Sequence, residues 1–302
     1  MGMENQDMYC MQMQEDENEI TVAGNQLRRM WYSFCKRKVA VLGLVIVLIY
    51  ILVAIFAPLL APYDPVKQDL AHMLQTPDSQ HLLGTDEMGR DILSRIIYGA
   101  RISMKVGFYA VGVAFIIGIP LGIFAGFYGG KVDLLIMRAM DVLLAFPGIL
   151  LSIVFVSVLG PNLDNAILSV GIYTVPNFAR MARGETLSLR GSEFIEAARA
   201  MGSGDIRIVF SHILINIVSP MIVMGTLSFG TAIITTAGMG FLGIGAQPPT
   251  PEWGAMLSSG RQYLLVAPHV TTYTGLAILF LVLGLNLLGD GLRDVLDPKM
   301  KD

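Results

Sequence analysis

The sequence predicts an all-α polytopic membrane protein with six transmembrane helices, on three observations. The first is composition: 302 residues, 54% hydrophobic and only 15% charged, with a mean hydropathy of +0.61. A soluble domain carries about 25% charge, so neither a water-soluble enzyme nor a disordered chain fits. The second is a series of apolar stretches long enough to cross a bilayer. The third is the placing of Lys and Arg between them.

Residues 1–38 read as a cytoplasmic N-terminal tail. Glu4, Asp7, Glu15, Asp16, Glu17 and Glu19 lie there among Gln, Asn and Met without an apolar period. Met1, Met3, Met8, Met11 and Met13 are too irregular, and too far from any His, to suggest a soft-metal site. Cys10 and Cys35 have no partner at a ligand spacing and read as free thiols. A basic cluster from Arg28 to Lys38 then abuts Val39 to Ala57, which has no charged side chain. At 1.5 Å per residue that stretch is about 28 Å long, the thickness of the hydrocarbon core. It exceeds a signal-peptide h-region, and no small-x-small cleavage site follows, so residues 39–57 are expected to remain as the first span.

Residues 58–103 read as an extracytoplasmic loop with an interfacial helix. Pro58, Pro62 and Pro65 end the first span, and from Thr85 the pattern turns amphipathic: Ile92, Leu93, Ile96 and Ile97 share a face that Asp91, Arg95 and Arg101 interrupt. Residues 104–289 form the five-helix core, with apolar stretches at about Met104 to Phe127, Leu134 to Leu159, Ala166 to Ala179, Ile213 to Ile244 and Thr271 to Leu288. The fourth span, Ala166 to Ala179, is short and contains Pro176 and Asn177, so charge must argue for it. With it, and with the N-terminus inside, the outer segments keep only Lys67, Arg90, Arg95, Arg101, Lys105 and Arg261. That is the positive-inside bias; omitting the span would put five arginines outside. Residues 290–302 then form a cytoplasmic C-terminal tail.

Gly118, Gly122 and Gly126 repeat every fourth residue, the small-x-x-x-small spacing that brings helix backbones together in lipid. Asp141 follows Arg138 by three residues and reads as a neutralising pair. His212 and His269 lie at span ends, in interfacial positions. The net charge of −3 and pI near 5.8 give no basic field for nucleic acid. No G-x-x-x-x-G-K-[ST], H-E-x-x-H or G-x-S-x-G occurs, so no catalytic residue, catalytic metal or cofactor is expected. The glycines Gly238, Gly240 and Gly243 spell G-x-G-x-x-G inside an apolar stretch with no strand before it, which is no dinucleotide site.

The most informative segment is 191–204. Ser192 can cap a helix, Glu193 and Glu196 favour its positive end, and Gly202 and Gly204 can stop it. Phe194, Ile195, Ala198 and Met201 leave that helix partly apolar, and its alanines keep it slim enough for a groove, although a solvated connector has the same pattern.

Glu196-Ala197-Ala198 with Gly202 resembles the EAA loop of ABC importer permeases. Three further segments, Leu82 to Ser103, Phe241 to Gly254 and Gly289 to Lys299, are similar to signatures of the dipeptide, oligopeptide and nickel permease group, in particular its dipeptide-permease-C-like subunits. The resemblance covers about Val39 to Lys299. It implies a type I ABC importer permease fold in the bacterial cytoplasmic membrane, in contact with lipid. It also implies a homologous second permease subunit, two ATP-binding cassette ATPase subunits and an extracytoplasmic peptide-binding protein. Glu196, Ala197, Ala198, Met201 and Gly202 would then contact the ATPase, and bulk at Ala198 would uncouple transport. Gln247, Pro248, Pro249 and Trp253 are outer-gate candidates, in a segment that proline stiffens. Where that group commonly has Pro after H-I-L this chain has Ile215, which implies a straighter helix entry. The cargo stays open between di- or oligopeptides and nickel or another small solute. An ion-coupled secondary transporter is the competing class, disfavoured by the scarcity of charge within the spans.

Overall fold

The protein is described here by a computed structural model covering residues 31–296. The acidic tail with Cys10 and its methionines lies outside those residues, as do Lys299 and Lys301. Among the described residues every regular element is helical. The main ones are α1 (Lys38–Ile55), α2 (Ile92–Tyr128), α3 (Gly130–Leu144), α4 (Gly148–Leu159), α5 (Leu163–Arg190), α6 (Glu193–Ala200), α7 (Asp205–Phe241), α8 (Trp253–Gly260) and α9 (Pro268–Leu296).

Four helices, α1, α2, α7 and α9, are long and apolar enough to cross a membrane. α3 and α4 make a fifth crossing if taken together, but they meet at a 90° bend. The sequence suggested one continuous helix from Leu134 to Leu159. Pro147 explains the break: it cannot donate a backbone bond, and its ring disfavours helical geometry at Phe146. α5, the weakest span by sequence, is a 28-residue helix beginning where the Asn162 side chain accepts from the amides of Asp164 and Asn165. Its mean apolarity is low because its inner face meets protein rather than lipid. Phe178, Ala179 and Ala182 on that face are fully buried.

The amphipathic segment expected as an interfacial helix leading into the second span is not broken from that span. α2 runs without interruption for 37 residues from Ile92, so the amphipathic segment and the second span are one helix. At the start of α7 the backbone forms a π-helical turn, Val209–Ile213. The entry expected to be straight without the usual proline is therefore widened, a feature of the backbone that the presence of an N–H does not prevent.

Packing centres on the α2–α5 pair, and small residues set its distance. A Cβ on Gly118 would stand 2.8 Å from the Val175 carbonyl and the Phe178 side chain, and one on Gly126 would meet Thr186 at 2.8 Å. Gly122 lies against the Ala179 carbonyl and 2.7 Å from Ala182 by the same construction. α1 packs on α9 in the same manner, through Gly43 and Gly284. Arg37, just before α1, bonds Asp294 near the end of α9.

Candidate functional site

Two constructions stand at opposite ends of this bundle. The first is α6, carried directly on the end of α5. Ser192 occupies the N-cap position with extended backbone, but its hydroxyl donates back to the Leu189 carbonyl at 2.6 Å instead of capping α6. The C-terminus follows the sequence pattern more closely. Gly202 takes φ +84°, its N–H bonds the Arg199 carbonyl at 2.9 Å, and the Ser203 N–H reaches back to Ala198 at 3.0 Å. That paired closure needs a left-handed residue, which is why glycine stands there.

α6 has two faces. Ile195 is fully buried in a cluster with Phe127, Ile208 and Ile213, and the Arg199 guanidinium lies 5.3 Å over the Phe127 ring. Ala198 also faces inward, at 4% exposure. The reading of Ala198 as an outward contact is thereby corrected: a Trp there would strike the chain's own core, because a methyl is all the buried side can take. The outer face presents Glu193, Phe194, Glu196, Ala197 and Met201, with Met201 81% exposed. Ile206 and Phe210 at the start of α7 are also exposed apolar side chains.

The second construction is a polar cap built from the loop before α2, the first turns of α2 and the segment before α8. Asp86 is its hub. Its Oδ1 accepts from the amides of Met88 and Arg90, both at 2.9 Å; its Oδ2 lies 2.7 Å from Arg90 Nε and 3.4 Å from Arg95 Nε. Arg90 also reaches Glu87 at 2.9 Å. Arg95 donates to the Pro65 carbonyl at 2.8 Å and approaches that of Pro249 at 3.4 Å. Asp91 caps α2 by accepting from the Ser94 amide at 2.8 Å, and it holds His81 Nδ1 at 2.9 Å. Asp86, Arg90, Asp91 and Arg95 are all buried.

Trp253, an outer-gate candidate by sequence, is instead fully buried. Its indole N–H donates to the Ile96 carbonyl at 3.2 Å, and its ring lies on the Gly99 backbone and makes a T-shaped pair with Tyr50. An indole buries well where a glycine leaves it room and a carbonyl takes its proton. Gln247, Pro248 and Pro249 remain exposed, the Gln247 amide donating to the carbonyls of Gly243 and Gly245, each at 3.1 Å. The ion network itself was missed by sequence reasoning, which placed Arg95 on a surface helix. The i,i+4 spacing of Asp86 and Arg90 was the available signal.

Glu252 caps α8, accepting from the amides of Gly254 at 2.9 Å and Ala255 at 2.7 Å. Burial pushes its carboxyl up to about 7, against the pull of those two amides. A carboxyl raised above its ordinary 4.5 adds stability that is complete below that value and is lost as pH rises through the folded value. Thermal unfolding of the purified protein is expected at a higher temperature near pH 5 than near pH 8, and Glu252→Gln should flatten that difference. An unchanged difference in the variant would contradict this origin.

Asp141 finds its main partner across the bundle. Arg180 donates to it at 2.7 Å, whereas the expected Arg138 stands 3.8 Å away. No group of three or more His, Cys, Asp or Glu side chains that could hold a metal occurs among the described residues.

A helical membrane protein with a short helix projecting at one end and an ion-paired cap at the other is the class these features define. The chain belongs to the binding-protein-dependent transport system inner membrane component family, whose profile matches residues 118–302, while the N-terminal transmembrane domain of oligopeptide transport permease C matches residues 25–77. It is similar to the dipeptide transport system permease protein DppC of Alkalihalophilus pseudofirmus, 52% identical over 91% of this chain and 90% of that one. It is also similar to the glutathione transport system permease protein GsiD of Pectobacterium atrosepticum, 48% identical over 91% of each chain. The di/tripeptide permease DppC of Pseudomonas aeruginosa is 45% identical over 91% of this chain and 93% of its own. Among solved structures, an inward-facing MetNI methionine ABC transporter matches 68% of this chain and 97% of its own at TM-score 0.56 and 22% identity, which supports the type I importer permease fold.

Proposed function

We propose that this chain is a permease subunit through which di- or oligopeptides cross the membrane, paired with a homologous permease and driven by two ATP-binding cassette ATPases. An extracytoplasmic peptide-binding protein delivers the cargo. The subunit performs no catalysis; α6 is its mechanical contact, seated in a groove of one ATPase, and both termini lie on the cytoplasmic side with it. Gln247, Pro248 and Pro249 form part of the outer mouth, facing the binding protein.

The observation that carries this reading is the division of α6 into a buried face, Ile195 and Ala198, and an exposed apolar face, Phe194, Ala197 and Met201. A solvated connector has no use for a Met that is 81% exposed beside an exposed Phe. Short apolar helices of this kind bind by laying that face into a groove. The names of the relatives support peptide cargo.

The test is to purify the chain from native membranes, identify the subunits that accompany it, and reconstitute the assembly in vesicles. Uptake of the dipeptide Ala-Ala or of glutathione should require ATP. Met201→Glu should reduce ATP-driven uptake about tenfold or more by weakening a central contact, while the amount of chain in the membrane stays unchanged. Normal uptake by that variant would count against the contact. Uphill uptake by the isolated subunit without nucleotide would overturn the whole reading in favour of a secondary transporter.

A further inference from the structure

Helix α3 is held to the rest of the molecule in an unusual way. Its only buried residue is Met140, and the helical geometry breaks at each of its ends. At one end Gly129 and Gly130 take φ +67° and +53°; at the other, residues 145–147 make the 90° bend into α4. Its apolar attachment is small: Met140, with Met137 and Leu143, packs against Val175 and Ala179 of α5, with Leu121 of α2 beside them. Two ion pairs supplement it. Arg183 on α5 grips Asp133 in bidentate fashion, at 2.5 and 2.6 Å, and Arg180 bonds Asp141 at 2.7 Å. A forked pair of this kind fixes direction as well as distance. Both arginines sit on the half of α5 that leads into α6.

The joint beside α4 also lies against α5. A Cβ on Gly148 would run into the Tyr173 ring, and one on Gly118 would meet the Val175 carbonyl. Pro147 and Pro176 are next in sequence to Gly148 and Val175, and Pro120 lies two residues beyond Gly118. Within the helices, Pro176 and Pro120 leave the carbonyls of Ile172 and Ile116 without their i+4 donors, so α5 and α2 bend most easily there.

We propose that α3 is a lever fastened to α5 by the Asp133–Arg183 and Asp141–Arg180 pairs, so that it swings together with α6 about the joint at Pro147. This rests on the reading of α6 as the ATPase contact. Asp133, Asp141, Arg180 and Arg183 are positioning residues in it: they touch no cargo, and they carry the motion of α6 to a helix that the core scarcely holds.

The experiment uses the reconstituted assembly, with Cys10 and Cys35 replaced by serine and spin labels on introduced cysteines. The exposed positions Leu135 on α3, Leu187 on α5 and Val158 on α4 take the labels. Between the nucleotide-free and ATP-trapped states the 135–187 separation should stay constant and the 135–158 separation should change. The reverse pattern overturns the lever. In the double variant Asp133→Asn with Asp141→Asn the 135–187 distribution should broaden, and peptide uptake per ATP hydrolysed should fall about tenfold, within the usual range of coupling between sites. Exchanging one pair, Asp133→Arg with Arg183→Asp, should return most of that ratio, which a purely packing role would not do. An unchanged ratio in the double variant overturns the proposal. If the unmodified assembly takes up neither Ala-Ala nor glutathione, the peptide reading fails instead, and the distances, which need only ATP, still decide the lever.

Discussion

Asp86→Ala should destabilise the protein by about 3–5 kcal/mol, the range for removing one partner of a buried ion pair. The substitution leaves Arg90 and Arg95 facing each other with only Glu87 near, and both guanidiniums are almost wholly shielded from solvent. It also strips acceptors from the amides of Met88 and Arg90, which shape the turn. Uncompensated buried charge and unmet buried donors add in the same direction. Thermal unfolding of the purified protein in detergent measures the effect, with Lys67→Ala as the exposed comparison, expected within about 0.5 kcal/mol of the parent. Asp86→Asn should fall between the two, because the amide oxygen can still accept one of the turn amides while the charge is lost. A variant Asp86→Ala that melts with the parent would mean that the cap does not hold its three segments together.

That network also shows where the sequence was opaque. Arg95 interrupts the apolar face of its helix, and a local window places such a residue at the surface, which separates residues 85–103 from the span that follows. Its partners are Pro65, Asp86 and Pro249. Two of these lie far along the chain, so the compensation that lets an arginine be buried exists only after folding. The burial of Trp253 depends in the same way on Gly99 standing opposite, and that of Ile195 on the positions of Phe127 and Ile213. Local signals are sufficient for the all-helical membrane class, for the stop at Gly202 and for the proline at position 147, whereas the expected six crossings compare with four helices long and apolar enough to cross, or five with α3 and α4 taken as one. α5 was legible only through charge placement, because a helix whose inner face packs on protein need not be apolar enough to stand out in a hydropathy window.

The glycine row gives the second large effect. Gly122→Leu should abolish accumulation of folded protein, and Gly122→Ala should weaken it. In water a bulky residue at a helix contact can be accommodated by sliding the helices apart, with lost burial as the penalty. In lipid the apolar surface gains nothing by staying together, so association rests on close van der Waals approach, and a wedge removes the source of attraction itself. The added Cβ at Gly122 meets the Ala179 carbonyl and the Ala182 methyl, neither of which is the end of a flexible chain. Backbone must therefore move, over the most extensive helix contact among the described residues. Overpacking of this type costs about 1–3 kcal/mol in ordinary cores, and Leu adds three further heavy atoms beyond that first collision. Gly112, whose Cβ would meet nothing within 4 Å, is the matched comparison on the same helix. Gly112→Leu should accumulate as the parent does, and membrane levels measured side by side for the two variants separate a packing defect from a general intolerance of leucine in α2. Equal levels would show that α2 and α5 do not depend on this contact for their association.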